Sequence, residues 1–385
     1  MADKGGAAVP SNQLFDDKLL RKLNSKGREI LRYVKSNGSY KPLKKYRAKL
    51  QDGKITYGEG YPITAIEKFL GYYDRDANIA FSPSISITTD FSVAQCFCRY
   101  VDDLNKDVVV LDGESEEKYT KRAKKALDLF RKMTGVTGSF QFTIKRVKKY
   151  ERAKGLGESA AIAAATSRAL IANVFGDKAA RDSSLVSRYA RLVSGSGTRS
   201  ASGGISLWIS FPKINEKDCR GFRLPVDIER LNFAVFPDFH DIQTMNAHGI
   251  ASASPFYSKW IENKYDRIIK LLNSGIKIQD LMVHAQEDMF LLRALLTSGE
   301  TIIDTGKSIK LINDVRKFQQ NGGRISMTAD TGPSIVVMSD DKNELKRFIS
   351  TQQSRPIYGK VAGDPRYSPG ESEFKNAESF FNSLG

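Results

Sequence analysis

The stretch 155-GLGESAAIAAATSRAL-170 opens on two glycines and runs into alanine. Alanine is the strongest helix former, so the spacing predicts a helix that starts just after Gly157. A glycine turn feeding a helix N-terminus is the geometry that cradles a phosphate, with backbone N–H groups and the positive end of the dipole aimed at the anion. Glu158 stands in that loop and brings a carboxylate of its own. A carboxylate about 4 Å from a phosphate charge costs on the order of 4 kcal/mol at an effective dielectric of about 20. That is roughly a thousandfold in affinity. A bridging magnesium would reverse the sign. The loop therefore has the shape of a phosphate site and the wrong charge for one, with Gly155, Gly157 and Glu158 as its defining residues.

Outward from this helix, strand-like and helix-like runs alternate irregularly. Residues 15–36 carry leucine and isoleucine at helical spacing, which predicts a helix or helix pair. Residues 37–60 read as basic and turn-rich. The β-branched run 79–100 predicts strands, 107–115 a strand and turn, 116–135 an amphipathic helix and 139–147 another strand. Residues 184–197 predict a helix that breaks into a Ser/Gly loop. A second half begins at the apolar strand 231–239, with helices at 256–274, 276–298 and 308–319. Strand, tight turn and strand follow over 324–340, then a helix at 342–351 and a strand at 356–363. Residues 1–14 read as disordered and the last twenty as a loose polar tail. The pattern predicts an α+β protein of two facing lobes: a basic, partly helical extension (1–55), a first lobe (56–230), a second lobe (231–365) and the tail (366–385).

Composition limits the function classes. The 385 residues carry a formal net charge of +16. There is no run of about 18 apolar residues, so no membrane span is expected. The first residues, MADKGGAAVPSNQLFDD, lack the apolar centre of a secretory signal. Three cysteines without framework spacing indicate a reduced, cytoplasmic protein. Cys96 and Cys98 share a strand face, but no second ligand pair follows at zinc spacing, and no metal site is expected. His240, His248 and His284 are too scattered to form a metal set. The positive charge fits nucleic acid, a membrane surface or small anions. No zinc-finger, aromatic RNA-binding or basic-heptad pattern is present, which leaves a solvated surface together with an anion-collecting site.

Four segments in order carry a more specific signal: 63-ITAIEKFLGYYD-74, 155-GLGESAA-161, 190-ARLVSGSGTRSASGG-204 and 328-TADTGPS-334. Together they resemble the diphosphomevalonate decarboxylases of the galactokinase–homoserine kinase–mevalonate kinase superfamily. There the first reads roughly "IKYWGKRD", the third "ARLGSGSACRSLYGG" and the fourth "FDAGPN". 253-ASPFYSKW-260 also resembles that family's "TSRFYQYW" helix. The resemblance runs from about residue 61 to 363 and implies a two-lobed fold with the active site in the cleft between lobes. Relatives are commonly homodimers, so it also implies self-assembly.

Carried over residue by residue, the resemblance makes Arg199 the catalytic arginine, able to grip a carboxylate or phosphate with two prongs. Lys68 becomes a point charge near phosphate or near an aspartate. Asp330 becomes the carboxylate that faces the substrate's 3-position. Ser194, Gly195 and Ser196 become the loop at the 5-phosphate end, with Ser159 on the glycine loop. The plain alternatives are a loop arginine, a surface lysine, a turn-capping aspartate before Gly332 and a helix-terminating loop. His248 falls in a segment that faces the family's active site.

Two departures shape the expected chemistry. The family's cations after "YWG" are replaced by Tyr72 and Tyr73, which suits a substrate with less charge at position 5. The family's "GLASSAA" is replaced by GLGESAA, so the serine that helps hold ATP phosphates and magnesium is Glu158. A loop that fills its own anion site suits an enzyme that uses no nucleotide, as in a branch of the family from acid-loving archaea. The expected reaction is then ATP-independent: mevalonate 3,5-bisphosphate gives isopentenyl phosphate, CO2 and phosphate, with no cofactor. The nearest alternative retains ATP and magnesium, as a phosphomevalonate or diphosphomevalonate decarboxylase or a mevalonate 3-kinase. A basic binding protein on a catalytically dead scaffold is the other class.

Overall fold

The computed structural model of the protein describes residues 14–102, 107–115, 117–239 and 244–384. His240 and residues 1–13 lie outside them. Strands build three four-stranded sheets. The first orders Ile55–Gly60, Ser92–Val101, Ser139–Lys148 and Val108–Leu111; the second orders Gly221–Arg223, Ile205–Trp208, Ser84–Thr88 and Ile63–Glu67. The third belongs to the C-terminal half: Ser326–Thr328, Ile335–Ser339, Asn232–Phe236 and Ile357–Lys360. A short ribbon, Tyr72–Asp74 with Ile79–Ala80, completes the strands.

The alanine helix, Glu158–Phe175, is buried on nearly all sides. Its small side chains let it press directly onto the strand Ile55–Gly60, within a stretch expected to be turn-rich. A methyl added at Gly58 would lie 2.6 Å from the Ala165 carbonyl oxygen, and one at Gly60 would lie 2.2 Å from that of Ala161. Glycine in a strand here marks backbone-to-helix contact, which is why the strand lacks the β-branched signature.

One apolar core joins the halves, running from Ile66, Phe69 and Trp208 through Phe233 to Tyr265 and Leu292. The two ends of the chain each dock on the half further from them in sequence. The helix Asp17–Ser36, capped by Asp16 accepting from the Leu19 N–H, buries Leu23, Gly27, Ile30 and Val34. It is one helix, and its Lys22 and Lys26 pair with Glu262 and Asp266 on the helix Tyr257–Asn273.

The final residues are not loose. Glu371–Ser383 is a helix that buries Ala377 and Phe381 against Tyr57 and Phe97. Its start is fixed where Glu373 accepts from the Gly370 N–H at 2.7 Å. The polar composition hid an apolar pair spaced by four, which is one face of a helix. Residues 183–202 also differ from expectation. The helix Ser183–Val193 breaks at Ser194–Ser196 and a second short helix, Gly197–Ser202, carries Arg199. No helix among the described residues is long and apolar enough to cross a membrane.

Candidate active site

Between the halves lies a cleft of about 600 Å³. Of the residues expected to form the site, Lys68, Tyr72, Gly155, Gly157, Glu158, Ser159, Ser194, Ser196 and Asp330 line it. Three do not. Tyr73 packs its ring on Phe81, and Gly195 lies against Trp208, where a methyl would come within 2.6 Å of the indole. Arg199 is sealed behind the wall, 1% exposed.

Strand geometry explains Lys68. It follows Ile63–Glu67, and neighbouring residues of extended chain point to opposite faces. Glu67 turns inward and Lys68 turns to the cleft, where its ammonium forms an ion pair with Asp330. The Thr328 hydroxyl donates to the Ala65 carbonyl at 2.8 Å, tying the strand before Asp330 to the strand before Lys68. Behind Lys68 is a buried charge cluster that sequence reasoning missed. Asp288 accepts from the Lys68 N–H at 2.7 Å and from the Lys264 ammonium at 2.6 Å. Lys264 also reaches Glu67 at 2.6 Å, and Glu67 is bonded to His284 and Arg267.

Arg199 donates to the Ser84 hydroxyl at 2.6 Å, and its guanidinium lies 5.4 Å from the ring centre of Phe69. Its Nε–H has no hydrogen-bond partner. Burial lowers its pKa to about 10, against the pull of Asp330 and Tyr72. A buried cation without a carboxylate partner is costly. Ser194 and Ser196 share a hydrogen bond at 3.0 Å across the break that precedes this helix.

The Glu158 carboxylate is held by three neighbours. Arg146 donates to its Oε2 at 2.8 Å, Tyr150 donates to Oε1 at 2.5 Å, and Lys148 lies 3.4 Å from Oε1. The carboxylate sits in the first turn of the alanine helix, where negative charge complements the dipole. The loop is also held shut. Gly155 faces Gly332 so closely that a methyl at Gly155 would lie 3.0 Å from the Gly332 Cα. The Lys154 N–H donates to the Asp238 carbonyl at 3.0 Å, and Arg152 stacks 3.5 Å from the ring centre of Phe239. This set does not fit a nucleotide phosphate: the cations that would meet it already hold Glu158.

Six cations line the cleft, Lys68, Arg75, Arg122, Lys125, Arg146 and Lys154, against two carboxylates, Glu158 and Asp330. The surplus favours a small polyanion. Sequence reasoning missed Arg75, Arg122 and Lys125, which stand among ordinary surface charges along the chain.

His248 stacks on Tyr72 with ring centres 4.9 Å apart, and its Nδ1 accepts from the Gly71 N–H at 2.9 Å. Burial, then Lys68 and Arg75, push its pKa down to about 3. The ring is therefore neutral, and with Nδ1 accepting, the proton sits on Nε2. Nitrogen-15 spectra are expected to show this Nε2–H tautomer down to about pH 4; an imidazolium at pH 5.5 would overturn the assignment. In the unfolded chain the ring titrates near its usual value, about 6.5. The folded state thus binds fewer protons between the two values. The stability His248 contributes is full above about pH 6.5 and drains away as pH falls through that window. Burial likewise pushes Tyr72 up to about 12, so its phenol stays protonated and able to donate.

Among the described residues no group of three or more His, Cys, Asp or Glu side chains is placed to hold a metal ion. Cys96 and Cys98 are buried free thiols.

Comparison with known proteins gives a consistent answer. A family described as "Diphosphomevalonate decarboxylase-like N-terminal domain" matches residues 60–220. The mevalonate 3,5-bisphosphate decarboxylase of Thermoplasma acidophilum is 48% identical over 340 residues, 88% of this chain and 84% of that protein. Its counterpart in Thermoplasma volcanium is 45% identical over 88% of this chain and 91% of that protein. Among solved structures, the mevalonate diphosphate decarboxylase of Enterococcus faecalis superposes with a TM-score of 0.70 at 19% identity. The match covers 82% of this chain and all of that one, a likeness of fold.

Proposed function

The chain belongs to the mevalonate 3,5-bisphosphate decarboxylases, a branch of the diphosphomevalonate decarboxylase-like family, and from that membership we infer that it removes CO2 and phosphate from mevalonate 3,5-bisphosphate without a nucleotide. The two Thermoplasma relatives, named mevalonate 3,5-bisphosphate decarboxylases, support the substrate and the decarboxylation. The observation that carries nucleotide independence is Glu158, held by Arg146, Tyr150 and Lys148 where a nucleotide phosphate would otherwise sit.

The chemistry is an elimination. The C3–O bond breaks and its electron pair leaves on the 3-phosphate. The C1–C2 bond breaks, its electrons form the C2=C3 double bond, and C1 departs as CO2. The products are isopentenyl phosphate and inorganic phosphate, which takes up a proton from solvent. Negative charge grows on the leaving group and positive charge grows at C3. Fixed cations beside the phosphate stabilise the first. Lys68 and Arg199 stand on either side of that work, Lys68 in the wall and Arg199 behind Phe69.

Asp330 needs no role as base here, because the substrate already bears its 3-phosphate. Its ion pair holds Lys68 in place, and its charge favours the cation that develops at C3. The Ser194–Ser196 loop and the cations Arg122 and Lys125 suit the 5-phosphate.

The test is phosphate and CO2 release from mevalonate 3,5-bisphosphate with no nucleotide and with EDTA present. Turnover under these conditions is the expected result. Product formed only from a 3-hydroxy substrate with ATP and magnesium would reverse the reading of Glu158.

A further inference from the structure

Away from the cleft, a second and larger cavity of about 740 Å³ opens between the N-terminal segment, the back of the first lobe and the C-terminal segment. Four cations from four separate pieces of chain converge on it: Lys41, Arg168, Arg181 and Arg223. Asp364 is the one acidic residue in its lining. None of the four cations makes an ion pair among the described residues, although Arg131, Arg188 and Arg293 elsewhere in the protein are paired at 2.6–2.8 Å.

Arg168 is the built element of this site. It projects from the alanine helix and is only 3% exposed. Its two terminal nitrogens donate to the Glu59 and Ala201 carbonyls, the second at 3.5 Å, and its Nε–H has no partner. Its guanidinium and that of Arg181 lie 5.7 and 4.3 Å from the ring centre of Tyr367. Ser39, Ser183 and Ser184 also line the cavity. Their hydroxyls can donate to anionic oxygens, and Leu224, Pro225 and Val226 supply an apolar wall.

We propose that this cavity is a second binding site, for a small phosphate or diphosphate ester, separate from the catalytic cleft. The chemistry fits in three ways. A surplus of unpaired cations in a concave surface collects polyanions. Guanidinium groups match phosphate oxygens in planar, two-pronged fashion. A short apolar wall beside them suits the organic part of an ester.

The site also has a mechanical route to catalysis. Its floor is Ser200, Ala201 and Ser202, the second half of the short helix whose first half carries Arg199. The Ser200 hydroxyl donates to the Tyr61 carbonyl at 2.6 Å, so this floor is tied to the strand region that leads to Lys68. An anion seated on it bears on the helix from the side opposite the cleft, and its occupancy is expected to change kcat more than KM.

The test uses inorganic pyrophosphate as the probe and calorimetric titration of the full chain. Arg181 and Arg223 are exposed, so the double variant Arg181→Ser with Arg223→Ser is expected to fold and to keep its turnover without pyrophosphate. Wild type is expected to bind two pyrophosphates per chain, one in the cleft and one here. The double variant should bind one, the second weakened about tenfold or more. Pyrophosphate should lower kcat at saturating substrate in wild type and leave the variant's kcat alone. One pyrophosphate per chain in both proteins, or two of equal affinity in both, would overturn the proposal. So would a change in oligomeric state on sedimentation of the double variant, which would make the cavity an interface between copies of the chain.

Discussion

Arg199→Met is expected to lower kcat by about a thousandfold, the loss typical of removing one preorganised charge-stabilising donor, and to leave the protein as stable as before or more so. The two halves of this result follow from the same geometry. Arg199 is buried, bonded to one neutral hydroxyl and left with an unmatched Nε–H. In the free enzyme that is an unrewarded desolvation, and an apolar chain of similar length relieves it. Under the proposed mechanism the same charge acts on the departing phosphate from behind Phe69, where an apolar chain is no substitute. Urea unfolding and steady-state kinetics on one preparation separate the effects. A variant that loses more than about 2 kcal/mol would make Arg199 a structural residue. A variant that turns over normally would remove it from the mechanism.

Lys264→Met is expected to destabilise the protein by about 3–5 kcal/mol. Lys264 is 1% exposed and bridges two buried carboxylates, Glu67 and Asp288, at 2.6 Å each. Burial and the nearby Glu67 already push the Asp288 pKa up, to about 7. Without the ammonium it rises further. The folded variant then holds a proton on Asp288 that the unfolded chain releases near pH 4, so its stability falls as pH rises through that window. The deficit is expected to be larger at pH 8 than at pH 5. Adding Asp288→Asn removes the stranded charge while retaining an acceptor for the Lys68 N–H, and should restore most of the loss. A deficit below about 1 kcal/mol at pH 8 would mean that the cluster is not a unit.

The residues proposed to act in catalysis were legible because their residue types are unusual for their surroundings. Arg199 within a serine–glycine run, and Asp330 before Gly332-Pro333, stand out along the chain. The Glu158 departure was visible too, but its partners were not: Arg146, Lys148 and Tyr150 lie in a basic stretch that reads as surface. Only the register of Ser139–Lys148 beside the glycine loop turns them toward one carboxylate. Lys264 and Asp288 did leave a mark. Each occupies an apolar-stripe position of its helix, Lys264 between Trp260 and Ile268, and Asp288 between Ala285 and Leu292. A charge on such a stripe must find a partner inside. The second cavity had no linear signature at all, since its four cations come from four separate segments. The terminal helix was missed because two apolar positions among polar residues are a weak periodic signal until the surface they cover is known.

The crossed docking of the chain's ends has a consequence for how the protein is made. The helix Asp17–Ser36 packs Gly27 on Phe211 and also docks on Tyr257–Asn273, which is made much later. The edge of the first sheet at Tyr57 and Phe97 waits for Phe381, which lies far along the chain in the other half. Neither half is complete until the other has been made, so commitment to the native state is a late, long-range event. Until then part of the apolar stripe of Asp17–Ser36 stays uncovered, and the lysines and arginines on its other face are what keep it in solution.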